Sequence, residues 1–306
     1  MPPGKLLWGV CRATINWTID AAPPLLYFML MPAKKKCLLH ANCQGEPLRE
    51  LLLLSAPFAA EWEITHYTNY LREVIPASEL AGCNLFLYQH LVSKWRELSS
   101  DSLLARLNPE AQGLCLPNMF FKGLWPFWVN EGPMDFSDTL LEKLLAAGAE
   151  KPEILKLYLH GDIRRFADLD QVLADTFRQE EEKESRCDIR TLPLVKEAWK
   201  SEMLFHTCNH PGKRLLVFVA DGILERLGYP PLRPEELAGY RPEYADFDLP
   251  FHPQVAAHHG LPYGGEGYEF NVFGRPMDFG RYVSRYIEAR RQGIQGPEFL
   301  AFLQLV

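Results

Sequence analysis

Two short polar turns hold the residues best suited to chemistry. Asn42-Cys43-Gln44-Gly45 joins a thiol to carboxamides, and Thr207-Cys208-Asn209-His210-Pro211, far later in the chain, joins an imidazole to them. Lys36–Ala41 reads as a buried strand and the chain from Pro47 as a helix, so Asn42–Glu46 is the tight turn between them. A cysteine there lies beside a helix N-terminus, whose free N–H groups and dipole favour thiolate. Cys43 is therefore a candidate nucleophile and His210 its candidate base. The amides of Gln44 and Gly45, with the side chains of Asn42 or Gln44, are candidate donors to an oxyanion. The bland alternatives are a Cys43 that packs like any small hydrophobe and a His210 that is an ordinary satisfied histidine. His40, His66, His90 and His206 compete for the role of base, His90 most seriously because it also ends a strand.

Strands alternating with helices must position these groups. Lys36–Ala41, Glu63–Thr68, Cys83–His90 and Gly113–Pro117 read as strands, with helices from Pro47, over Pro76–Gly82 and over Ser102–Leu107. The pattern predicts an α/β fold: a small parallel sheet with flanking helices over about residues 33–130, and a helix-rich second half that completes the cleft. Ligands of such sheets bind at the carboxyl ends of the strands. Cys43 with Asn42 and Gln44, Gln89 with His90, and Asn118 all fall at such ends. The loop Met119–Trp128, with Lys122 and Trp125, is rich in rings and either walls a ligand pocket or caps the core.

Helices are expected over Phe136–Leu145, Pro152–His160 and Phe166–Lys183, making about 131–205 a helical insertion. Glu180–Glu184 reads as an exposed charged face. A second polar turn then opens onto a helix over Leu215–Leu227, with Pro211 at its start and Gly228 past its end. Lys213 and Arg214 in its first turn are candidates to clamp a phosphate. Pro230–Pro253 is proline-rich and irregular, His258–Phe273 reads as a structured surface loop, and Met277–Gln292 as a basic amphipathic helix.

The chain has 306 residues, 47% of them hydrophobic, enough for a sizeable core. A formal charge of −7 argues against nucleic acid or an anionic membrane as a bulk partner. Seven scattered cysteines without a CxxC pair fit a reduced, cytoplasmic protein, and Cys208 with His210 lacks the rest of a zinc motif, so no metal is expected. There is no GxxxxGK[ST] loop and no GxGxxG after a strand, which removes the usual nucleotide-binding signatures. No run approaches the roughly 18 apolar residues of a membrane span. Residues 1–30 are expected to be an extension outside the fold or not translated, since Met29 and Met31 both precede the basic cluster Lys34-Lys35-Lys36. The remainder, 31–306, is then one catalytic domain.

Ala41-Asn42-Cys43-Gln44-Gly45, Tyr88-Gln89-His90, Leu116-Pro117-Asn118 and Thr207-Cys208-Asn209-His210-Pro211 together resemble the WcbI-type family of capsular polysaccharide biosynthesis proteins. The resemblance spans 36 to about 228, with Ala41 in place of a usual glycine, and the length after Met31 also fits. It implies an acetyltransferase that binds coenzyme A or acetyl-coenzyme A and O-acetylates a 6-deoxy-heptose of a capsule. Its acceptor would be a sugar nucleotide or glycan, with loose association to membrane-bound capsule machinery. By position it implies Cys43 and His210 as the active-site pair, surrounded by Asn42, Gln44, Gln89 and Asn209. The strand-turn-helix placement is also similar to SGNH-type serine esterases, with cysteine in place of serine. Their acid stands three residues before the histidine, where this chain has Thr207. A thiol esterase or deacetylase, and a non-catalytic coenzyme- or glycan-binding capsule assembly protein, are the alternatives.

Overall fold

The computed structural model describes residues 33–305, so the expectation for residues 1–30 lies outside the described residues. In chain order the first half runs β1 (Lys35–Ala41), α1 (Gly45–Leu54), α2 (Ala56–Glu61), β2 (Trp62–Thr68), α3 (Ala77–Ala81), β3 (Leu85–Gln89), α4 (Ser100–Leu104) and β4 (Gln112–Leu116). The four strands form one parallel sheet of order β2-β1-β3-β4. Cys37 through Ala41 are all buried, as a central strand covered on both faces must be. The chain leaves β1 to one side for β2 and then crosses back to β3 on the other. That reversal opens a crevice at the carboxyl ends of β1 and β3.

On one face α1 turns fully buried Leu48, Leu51 and Leu52 to the sheet and packs on α9 (Lys213–Arg226), whose Leu215, Leu216, Val219, Ala220, Ile223 and Leu224 are equally buried. Each such leucine contributes about 1.5–3 kcal/mol of burial, so this pairing ties the later helix firmly to the first turn. The opposite face is covered by a smaller cluster of Leu38, Ile75, Leu80, Cys83, Phe86 and Leu103.

The second half runs β5 (Trp128–Val129), β6 (Ser137–Asp138), α5 (Thr139–Ala146), α6 (Lys151–His160), α7 (Leu169–Glu184), α8 (Leu192–Ala198), β7 (Phe205–Thr207), β8 (His210–Pro211), α9, α10 (Pro253–His259), β9 (Glu269–Val272), β10 (Arg275–Asp278), α11 (Phe279–Arg291) and α12 (Glu298–Gln304). Three expectations need correction. Phe136 does not begin a helix, because Ser137–Asp138 pair with Trp128–Val129 and Asp138 then caps α5 through Leu140 N and Leu141 N. Part of the His258–Phe273 stretch is β9, the first arm of a hairpin with β10 turned at Phe273-Gly274, both at positive φ.

Glu180 and Glu184 are not an exposed face either: they are 5% and 4% exposed. The Glu184 carboxylate accepts from Thr191 N, Leu192 N and the Thr191 hydroxyl, capping α8 from seven residues away. Burial pushes the Glu180 carboxyl up to about 7, against the pull of Lys183 at 2.6 Å.

Candidate active site

The first turn leaves β1 at the sheet crevice and is wired almost completely. Asn42 N donates to Gln89 Oε1 at 2.9 Å, bridging the carboxyl ends of β1 and β3. Asn42 Oδ1 accepts from Gln44 N at 2.9 Å, and Gly45 N donates to Asn42 O at 2.9 Å, an Asx turn nested in a tight turn. Gln44 is fully buried and its carboxamide pairs with the Met119 peptide, Oε1 accepting from Met119 N at 3.1 Å and Nε2 donating to Met119 O at 2.8 Å. The same Nε2 donates to Asn209 O at 2.9 Å, and Gln89 Nε2 donates to Gln44 Oε1 and Pro117 O, both at 3.2 Å. One glutamine thus fastens β1, the chain after β4 and the second turn together.

This wiring corrects the oxyanion assignment made from sequence. The amides of Gln44 and Gly45 are spent inside the turn, and the Gln44 side chain is spent on backbone. The thiolate expectation is corrected as well. Burial raises the Cys43 thiol above its usual range, outweighing its own backbone N–H, and no cation stands among the causes of its shift. Cys43 is partly buried, and its charge would be felt at the hydroxyls of Tyr70 and Tyr244. Gly45 makes room for the His66 ring: a Cβ there would lie 2.2 Å from His66 Nε2 and push the ring aside.

The second turn differs from the expected strand-to-helix corner. It is the tip of the β7–β8 hairpin, with Thr207 opposite His210, and α9 begins only after Gly212. Cys208 O accepts from Phe121 N at 2.7 Å, and the Thr207 hydroxyl donates to Asn209 Oδ1 at 2.9 Å. His210 stacks flat on Tyr244, centroids 4.4 Å apart and planes 9° apart. Burial, helped by nearby His206, lowers His210 to about 4, so its ring is neutral near pH 7. No hydrogen bond joins Cys43 to His210 among the described residues.

The remaining candidates separate. His90 Nε2 meets Arg186 Nη1 at 2.9 Å. Lys213 Nζ donates to Leu237 O and Tyr240 O, and Arg214 pairs with Glu202 at 2.6 Å, so both head groups already have protein partners. Trp125 is 5% exposed with Nε1 donating to Leu249 O at 3.0 Å, which makes it part of the core. Lys122 is half-buried, its ammonium weakened by burial, and it has no hydrogen bond or ion pair among the described residues. Asn118 is exposed and accepts from Asn42 Nδ2 at 3.1 Å.

Sequence reasoning missed one dyad. His206 Nδ1 lies 2.6 Å from Asp248 Oδ1, and Asp248 Oδ2 accepts from Asn271 N at 3.1 Å. The acid comes from 42 residues beyond the histidine, out of the irregular Pro230–Pro253 stretch, and no local spacing announces it. This pair opens on a cleft of about 360 Å³ that Gly212, Lys213, Tyr240 and Arg241 also line. A larger cleft, about 600 Å³, lies by His160, Gln254, Glu266 and Asp278, and none of its residues carries the chemistry above. Asp170, His258 and His259 bring three ligand-type atoms within 4.8 Å of one another, the first two exposed and His259 buried against Trp199.

Fold and turns together define an α/β protein with a polar hydrogen-bond network at the switch point of a parallel sheet. The profile of the family described as "Polysaccharide biosynthesis enzyme WcbI" matches residues 36–232, and the chain belongs to that family. It is therefore a polysaccharide biosynthesis enzyme. A solved structure of WcbI, described as a novel polysaccharide biosynthesis enzyme in native form without a disulfide bond between coenzyme A and a cysteine, shares the fold with a TM-score of 0.69. The match covers 88% of this chain and 94% of that one at 18% identity, a distant relative rather than the same protein. A comparison with curated proteins finds no match. Among the described residues no helix is long and apolar enough to cross a membrane.

Proposed function

We propose that this chain is a coenzyme-A-dependent O-acetyltransferase acting on a sugar hydroxyl, with a 6-deoxy-heptose of a capsular polysaccharide as acceptor. The observation that carries the reading is the Gln44 network, which brings the Cys43 turn and the Asn209-His210 turn to one place at the carboxyl edge of the sheet. The coenzyme A named in the neighbour's description supports the choice of donor.

The raised thiol and the neutral imidazole favour direct transfer over an acetyl-cysteine. His210 takes the proton of the sugar hydroxyl as its oxygen attacks the thioester carbonyl. The tetrahedral intermediate then expels the coenzyme thiolate, which recovers that proton. Cys43 lines the pocket beside the thioester sulfur. Lys122, the one nominated basic side chain without a partner among the described residues, is the candidate to meet an acidic group of the coenzyme. The His206–Asp248 pair keeps a second imidazole oriented beside the first.

Incubation with acetyl-coenzyme A and a deoxy-heptose oligosaccharide tests this. The expected result is an acetylated sugar by mass spectrometry, abolished in His210→Ala, with no acetylated enzyme after rapid quenching. Acetyl-enzyme formed at a competent rate would replace the direct route with a covalent one. Acetate released from an acetylated sugar at a rate independent of coenzyme A would make the chain an esterase.

A further inference from the structure

We infer that the side-chain amide of Asn118 is the oxyanion donor of this site. The inference rests on the acyl-transfer reading and supplies a group that reading lacks, since the turn amides that first suggest themselves are already consumed.

Hydrogen-bond polarity fixes which way each carboxamide faces. A backbone N–H can only donate, so Gln44 N fixes the oxygen end of the Asn42 carboxamide toward itself. The amide end of Asn42 must then point at Asn118, and it donates there at 3.1 Å. Asn118 is left with its oxygen engaged and its NH₂ outward, and Nδ2 has no partner among the described residues. The other branch of the network is fixed the same way. Asn42 N sets Gln89 oxygen-first, Gln89 Nε2 donates to Gln44, and the Gln44 NH₂ ends on the carbonyls of Met119 and Asn209. Both amide hydrogens of Gln89 and both of Gln44 are thereby directed at protein, Asn42 keeps one hydrogen beyond the one it gives to Asn118, and Asn118 ends the relay with both hydrogens of its NH₂ without a protein partner among the described residues.

Its position suits the task. Asn118 follows Pro117 at the carboxyl end of β4, exposed, one hydrogen bond from the residue preceding Cys43. A carboxamide whose oxygen is already held pays little reorganisation when negative charge develops in front of its nitrogen.

Asn118→Asp and Asn118→Leu test the assignment. Asp keeps the oxygen that Asn42 grips and exchanges the donor for a second acceptor, while Leu removes both without adding charge. Thiol release from acetyl-coenzyme A in the presence of the deoxy-heptose oligosaccharide gives kcat, and calorimetry with coenzyme A gives Kd. The donor role predicts kcat lower by about 100- to 1,000-fold in both variants with Kd changed less than threefold. Variants that keep a third or more of wild-type kcat, or that lose activity only through a weaker Kd, overturn the donor role while leaving the acetyltransferase reading intact. A wild-type protein that binds coenzyme A but releases no thiol from acetyl-coenzyme A in the presence of that oligosaccharide overturns both.

Discussion

The two polar turns look alike as residues and are built by opposite physics. The Asn42–Gly45 turn is held by directional bonds, nearly every amide assigned to a partner through Gln44 and Gln89. The Thr207–Pro211 turn takes outside bonds only at its tip, from Gln44 Nε2 and Phe121 N, and His210 itself is held by the hairpin ladder and by ring packing on Tyr244, whose hydroxyl is buried and unpartnered. A wired turn fixes atoms to a few tenths of an ångström and tolerates no exchange of donor for acceptor. A stacked turn fixes a plane and leaves the ring's protonation open to its surroundings. In the proposed mechanism the first turn places groups and the second moves protons.

The sharpest break of this contrast is at Gln44. Gln44→Glu sets a carboxylate oxygen against the carbonyls of Met119 and Asn209, and the variant should lose about 3–5 kcal/mol of unfolding free energy in chemical denaturation. A loss below about 1 kcal/mol would mean the network is ornamental. Gly45→Ala comes next, at about 1–3 kcal/mol, because the new methyl must displace the His66 ring.

Acid should find two buried imidazoles, His210 in the stacked turn and His40 in β1. Unfolded, His210 and His40 take protons near the ordinary value of about 6.5, but burial lowers both to about 4, with His206 adding at His210 and His66 at His40. Between those values the unfolded chain binds more protons, so their stabilisation is complete above about pH 6.5 and is lost as pH falls toward 4. Both nitrogens of His40 are buried without partners, so His40→Leu should flatten that decline, as urea midpoints at pH 7 and pH 5 would report. An unchanged slope would contradict the burial. The smallest effect belongs to Tyr244→Phe: removing an unpartnered hydroxyl and keeping the stack should leave stability within about 0.5 kcal/mol or raise it. A clear loss would show that the hydroxyl has a partner in solution.

Much of the first turn was legible because its causes are local. β-branched and apolar runs mark the strands, Pro47 marks a helix start, and carboxamides at strand ends mark the crevice. What Gln44 does was not legible, because a buried glutamine and a catalytic one carry the same letter and only the partners distinguish them. The second turn was readable as residues but not as geometry. The two-residue tip Cys208-Asn209 makes a hairpin, and the neutral His210 depends on Tyr244, 34 positions on in an irregular stretch. Asp248 escaped notice for the same reason, and Glu184 because a charged run was read as solvent-facing although two of its acids cap and pair inside the fold.

The central claim is that these unlike turns close on an acyl-coenzyme A, and calorimetric titration with coenzyme A tests it most directly. The account predicts a saturable heat for one site and a matching rise in Tm, both weakened in Gln44→Glu more than in Tyr244→Phe. No heat and no thermal shift in the wild-type protein would contradict it.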